Sequence, residues 1–119
     1  MSFTPAPVKA TVAAAVLEQL DIRVGRIVAV EDIPSSKKLV KLRVDLGDRE
    51  RSIVAGLKME RPDVSLLVGV QALFVVNLEP RQMAGELSEG MLFDLGYADG
   101  IQPVFAVPEQ PVPNGTRAG

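Results

Sequence analysis

The chain has 119 residues, 47% of them hydrophobic, with no cysteine, no histidine and a net charge of −2. That length suits one domain, which buries roughly two-thirds of the surface its unfolded chain exposes. The missing thiols and imidazoles exclude disulfides, thiolate chemistry and the usual general base near neutral pH, and they leave a zinc site without its ordinary ligands. No apolar run reaches the roughly 18 residues that span a bilayer, so no membrane partner is expected. "VAAAVLEQL" (12–20) has a short apolar centre and acidic residues straight after it, so it reads as an amphipathic helix rather than a leader peptide. "NGT" (114–116) fits a glycosylation pattern, but with no leader peptide it is read as chance, and a cytoplasmic protein is expected.

In chain order, residues 1–19 form an N-terminal arm and helix: a loose arm over 1–8 with Pro5 and Pro7, then a short helix over 9–19 with Val12 and Val16 on one side. "LDIRVGRIVAVEDI" (20–33) is rich in Val and Ile and predicts a long strand, with Gly25 marking a bulge or bend. "KKLVKLRVDLG" (37–47) alternates, placing Val40, Leu42, Val44 and Leu46 inside and Lys41, Arg43 and Asp45 outside. "GDRE" turns the chain into the returning strand "RSIVAGL", giving a hairpin with a basic outer face.

A short helix near Pro62 and a fully apolar strand over 70–78 follow. "NLEPRQMAGELSEG" (77–90) reads as a loop too long for a tight hairpin. Beyond it, "GMLFDLGYA" alternates Met91, Phe93, Leu95 and Tyr97, and "IQPVFAV" is a last strand. Phe74, Phe93 and Phe105 all fall on strands and are expected in the core. About five strands with a helix between the third and fourth is the order of an OB-fold, a small Greek-key barrel. The expected class is therefore all-β with minor α. The barrel spans 20–107 and residues 108–119 form a proline-rich tail.

The charge is unevenly spread. Residues 37–61 hold eight basic and four acidic side chains, a balance of +4, against −6 for the rest. A polyanion responds to such a local field. Equally, strands carry Lys and Arg wherever a face is wet. Ser35 and Lys38 satisfy S-x-x-K, yet no companion motif is present and the chain is short for that enzyme fold. Neither a P-loop nor a dinucleotide fingerprint is found. An enzyme is not expected, and no cofactor or metal is implied. With 4% aromatic residues and no Trp, a nucleic-acid reader of this kind is expected to sense backbone shape and charge rather than splayed bases.

"LDIRVGRIV", "KLVKLRVDLG", "IVAGL" and above all "VVNLEPRQMAGELSEGML" resemble the tRNA-binding domain family over residues 18–107. That family includes the C-terminal domain of bacterial methionyl-tRNA synthetases, free-standing dimeric tRNA-binding proteins and the CsaA-like secretion chaperones. The resemblance implies an OB barrel without catalytic activity, a homodimer built by terminal segments, and recognition of tRNA shape near its outer corner. It places Asn77, Arg81, Met83, Ser88 and Met91 at signature positions, with Ser88 and Met91 in an S-x-G-M element linked to RNA contact. It sets Lys37, Lys38 and Lys41 on the neighbouring hairpin. Glu79, Gln82 and Ala84 stand where many members carry basic residues, and "PVPNGT" is CsaA-like. Three partners therefore come into view besides a second copy of the chain: tRNA, an aminoacyl-tRNA synthetase, and an unfolded presecretory protein. On the tRNA reading, Lys38→Glu with Lys41→Glu is expected to abolish binding without unfolding the chain.

Overall fold

The computed structural model describes residues 3–119. Alternation decides its first hairpin. In β2 (Val40–Asp45), Val40, Leu42 and Val44 are sealed inside while Arg43 stands in water. β2 pairs antiparallel with β1 (Ile22–Asp32) on one side and β3 (Glu50–Ala55) on the other. β4 (Gln71–Val75) pairs with the first half of β1. The residues of β4 are buried on both faces except Leu73, as its unbroken apolar sequence requires. β5 (Arg81–Met83) and β6 (Glu86–Ser88) form a separate hairpin. β7 (Met91–Leu92) returns to β4. β8 (Asp94–Leu95) pairs with β9 (Val104–Phe105).

The main sheet therefore runs β3-β2-β1-β4-β7. It is antiparallel throughout and nearly closed, an OB-fold-like barrel that bears out the expected class. Its centre holds Ile27, Leu42, Val44, Ile53, Leu57 and Phe74. The helix expected near Pro62 is a short 3-10 turn, Val64–Leu67, opened by Asp63, whose carboxylate accepts from the Ser65 amide.

Several expectations need correction. The bulge in β1 falls between Ile27 and Ala29, not at Gly25. Gly25 is required for a different reason: a Cβ there would collide with Val44 and lie 3.0 and 3.1 Å from Leu46 and Phe74. The first helix, α1, is only Ala14–Glu18, without a side-chain cap or a buried residue, because Ala13 precedes it where a capping oxygen is needed. The apolar alternation after residue 90 is real but inverted. Leu92 is buried, whereas Met91, Phe93, Leu95 and Tyr97 are exposed, so Phe93 is not core. Phe74 is core as expected, and Phe105 packs partly buried against it.

The tail is built into the barrel. Gly115 and Ala118 amides donate to Val24 and Ile22 carbonyls at 2.7 and 2.8 Å, and the Val24 amide donates to Thr116 at 2.8 Å. These bonds lengthen the sheet along the part of β1 that β2 leaves unpaired. Buried Gln71 fixes the tail further, donating to the Val112 carbonyl and the Asn114 side chain at 2.6 and 2.8 Å.

Candidate nucleic-acid interface

The loop at 77–90 forms the seam of the barrel. Contrary to the sequence reading, it contains a tight hairpin of its own. Ala84 and Gly85, at φ 51° and 79°, make the two-residue turn between β5 and β6. Both positions demand left-handed backbone, which Gly85 tolerates and Ala84 adopts at a cost of about 1 kcal/mol. The segment that follows, Ser88-Glu89-Gly90, runs against the free edge of β3. The Ser88 hydroxyl accepts from the buried Val54 amide at 3.0 Å and donates to the Gly90 carbonyl at 3.0 Å. Glu89 both donates its amide to the Ser52 carbonyl and accepts from the Ser52 amide through its carboxylate, at 2.8 and 3.1 Å. Gly90 is needed for close approach rather than for unusual backbone angles, since a Cβ would lie 2.8 Å from the Val75 carbonyl oxygen. Arg51 finishes the seam, its guanidinium donating to the Val76 and Glu89 carbonyls.

The signature positions thus divide into two groups. Ser88 is buried, with its hydroxyl engaged twice inside the protein. Asn77 is a staple: its side chain accepts from the Asp21 amide and donates to the Gln19 carbonyl, both at 2.8 Å, tying the approach to β1 onto the end of β4. Arg81 and Met91 are exposed and Met83 is half-buried, all on the seam hairpin or beside it.

The cations of residues 37–61 are largely neutralised where they stand. Lys41 lies between Glu31 and Glu86, at 3.6 and 3.5 Å, so it anchors the β5–β6 hairpin to the outer face of β2. Arg43 meets Glu50 at 2.7 Å, and Arg49 meets Asp48 at 2.9 Å. Lys58 binds Asp32 at 2.6 Å and two carbonyls of the β1–β2 loop. Arg61 pairs with Glu60 and lies 4.4 Å from the centre of the Phe105 ring. Arg51, Lys37 and Lys38 make no ion pair among the described residues, and of these Arg51 is held on carbonyls. Arg81 is likewise free of a carboxylate. The basic outer face expected of the β2–β3 hairpin is therefore a lattice of ion pairs, with free positive charge at its rim. Sequence spacing hid this because Glu86 lies 45 residues from Lys41.

A further cluster sits at the tail. Asp21 takes Arg23 at 2.9 Å and Arg117 at 3.2 Å. The hydrogen bond from Arg23 chiefly holds the Asp21 carboxyl below the usual aspartate value, with a smaller pull from Arg117. Asp48 is lowered in the same way by Arg49. Among the described residues, no group of three or more carboxylates is placed to hold a metal ion, and no helix is long and apolar enough to cross a membrane.

Comparison with known proteins identifies the family. Residues 22–117 fit the family described as "Putative tRNA binding domain". The methionine–tRNA ligase of Methanocaldococcus jannaschii is 52% identical over 77 residues, which is 64% of this chain and 12% of that enzyme. The corresponding ligase of Thermococcus kodakarensis is 40% identical over 99 residues, 83% of this chain and 13% of the enzyme. The chain thus spans about an eighth of the length of these relatives. Among solved structures, the MetRS related protein of Pyrococcus horikoshii superposes with a TM-score of 0.85 at 32% identity, covering 93% of this chain and all of that one. The CsaA chaperone of Bacillus anthracis superposes at 0.78 and 26% identity, covering 92% and 100%. By its matched span, its barrel and its seam loop, this chain belongs to the tRNA-binding domain family.

Proposed function

We propose that the chain binds tRNA without catalysing a reaction, recognising backbone and shape through Lys37 and Lys38 of the β1–β2 loop and Arg81 of the seam hairpin. The observation that supports this reading best is the seam. The family's signature loop is built rigidly into the barrel while it holds Arg81 in solvent, so a free cation is displayed on a fixed frame. Asn77, Ser88 and Lys41 serve that frame as positioning residues, and Met83 and Met91 supply apolar contact beside it. A cytoplasmic location follows from a tRNA partner.

The protein is read as a homodimer. Leu17 and Leu20 of the N-terminal segment, Phe93 and the end of the tail line one apolar groove. Leu95, Val104 and Val107 lie exposed on the same strand pair or just beyond it. A second copy is the proposed cover, and an aminoacyl-tRNA synthetase is the alternative occupant. Leu17→Lys with Phe93→Lys is expected to give a folded monomer by light scattering; an unchanged mass would remove this surface from the interface.

The test of tRNA binding is a titration against bulk tRNA at two salt concentrations, with an unfolded presecretory peptide alongside. Three phosphates neutralised per chain give a slope of log K against log salt of about −2, doubled if both copies engage one tRNA. A flat response, or peptide binding without tRNA binding, would overturn the reading. The peptide outcome is the second reading, a CsaA-like chaperone. The neutralised cations and the net charge of −2 favour it.

A further inference from the structure

A cleft of about 620 Å³ opens beside the rim, between the β1–β2 loop and the turn that joins β8 to β9. Its walls include Lys38, Gly56, Met59, Asp94, Tyr97 and Ile101. Tyr97 is the only tyrosine of the chain, and it is 72% exposed. It is nevertheless held firmly. Gly96 and Gly100, at φ 102° and 71°, bracket a closed 3-10 turn, in which Asp99 and Ile101 amides donate to the Gly96 carbonyl at 3.1 and 3.0 Å. These bonds close the backbone that carries the exposed ring. Lys38, a cation without an ion pair among the described residues, lines the same cleft. Glu60, on the same wall, is already satisfied by Arg61, which leaves Asp94 as the unpaired carboxylate of the lining.

We propose that this cleft is a nucleobase subsite: one unpaired base of an RNA strand stacks on the Tyr97 ring while its adjoining phosphate meets Lys38. An exposed ring next to a free cation is the pairing that single-strand binding uses, and stacking accepts any base because every base has a π-face. Asp94 excludes a phosphate from the interior and so sets the polarity, with the neutral base inside and the anion at the Lys38 rim. Exposed Met59 and Ile101 give the base apolar contact. The subsite deepens the tRNA reading and rests on it for the source of the strand. It revises the expectation, drawn from the few aromatic residues, that only backbone shape is read.

The chain has one Tyr and no Trp, so its tyrosine emission reports on this cleft alone. The intact protein is titrated with a short single-stranded RNA and with bulk tRNA, following that emission, with gel shift of tRNA in parallel. Saturable quenching by the short RNA is expected. Tyr97→Ala should weaken its binding about tenfold without changing the salt slope, and Tyr97→Phe should retain affinity. Gel-shifted tRNA with unchanged emission overturns the subsite and leaves the tRNA reading standing. Quenching by the short RNA with no tRNA shift upholds the subsite and removes the tRNA reading. Binding of neither removes both. An emission change that follows protein concentration alone, or that an unfolded peptide produces, assigns the cleft to a second copy or a peptide and overturns the proposal.

Discussion

The β2–β3 wall and the terminal face of this barrel show opposite treatments of side chains that sequence alone presents alike. On the wall, Arg43, Arg49 and Lys41 each find a carboxylate. A segment of charge +4 thereby exposes little unspent charge. On the terminal face, Leu17, Leu20, Phe93 and Leu95 are left exposed by the chain's own described residues. The contrast teaches that composition counts groups, whereas function depends on groups left without partners. Lys37, Lys38, Arg81 and Tyr97 are conspicuous for what they do not touch.

The contrast can be tested in order of expected effect. Val44→Asp should unfold the chain, because an unpaired charge in the sealed interior costs several kcal/mol; circular dichroism should show a denatured protein. Ser88→Ala removes the acceptor of the buried Val54 amide and should cost about 1–3 kcal/mol by urea denaturation. If the seam positions the rim, tRNA affinity should fall in that variant with the salt slope unchanged, although Ser88 is buried.

Reversing Lys37 and Lys38 to Glu should remove most tRNA affinity and flatten the salt response while the unfolding midpoint stays put. Lys41→Met should instead change affinity only a few-fold, because that ammonium is already shared by two carboxylates. Equal losses in the two experiments would mean that the ion-pair lattice opens when RNA binds. On this basis the expected double reversal of Lys38 and Lys41 mixes a contact residue with a hairpin anchor, and the two should be changed separately.

The smallest effect concerns pH. The Asp21 carboxyl lies below its ordinary value of 3.8 in the folded protein, so the unfolded chain binds more protons near that pH. Its contribution is fully present above the ordinary value and is lost as pH falls through the lower folded value. Asp48 and Asp63 act in the same direction. Denaturation midpoints should therefore drop below about pH 4, and Asp21→Asn should make that drop shallower.

Much of the barrel could be read from the chain itself. β2 announced its faces because the alternation is strict and only one face bears charge. The same logic failed after Gly90, where apolar residues alternate with Leu92, Asp94 and Gly96, and period alone cannot say which face points inward. Leu92 reaches the core because β7 pairs with β4, a contact set by the seam loop rather than by local pattern. For the candidate site, the sequence singles out the loop and the lysines as candidates. It could not show that Ser88 and Asn77 are spent on the fold, since their partners Val54 and Gln19 lie 34 and 58 residues away. In sequence, Tyr97 reads as one alternating apolar residue among four. The glycines on either side of its turn were the available signal.

The tail strand has a consequence in time. Arg117 meets Asp21 across 96 residues, and its neighbours supply the bonds that β1 lacks beside β2. During synthesis at about 5–20 residues per second, that stretch of β1 waits roughly 5–20 s for its partner to be made. The other strands of the main sheet, β7 last among them, are made before the tail, so until the tail follows this stretch of β1 is an open edge able to capture a strand from a neighbouring chain. This edge of β1 therefore acquires its partner only after the other strands of the main sheet have been made.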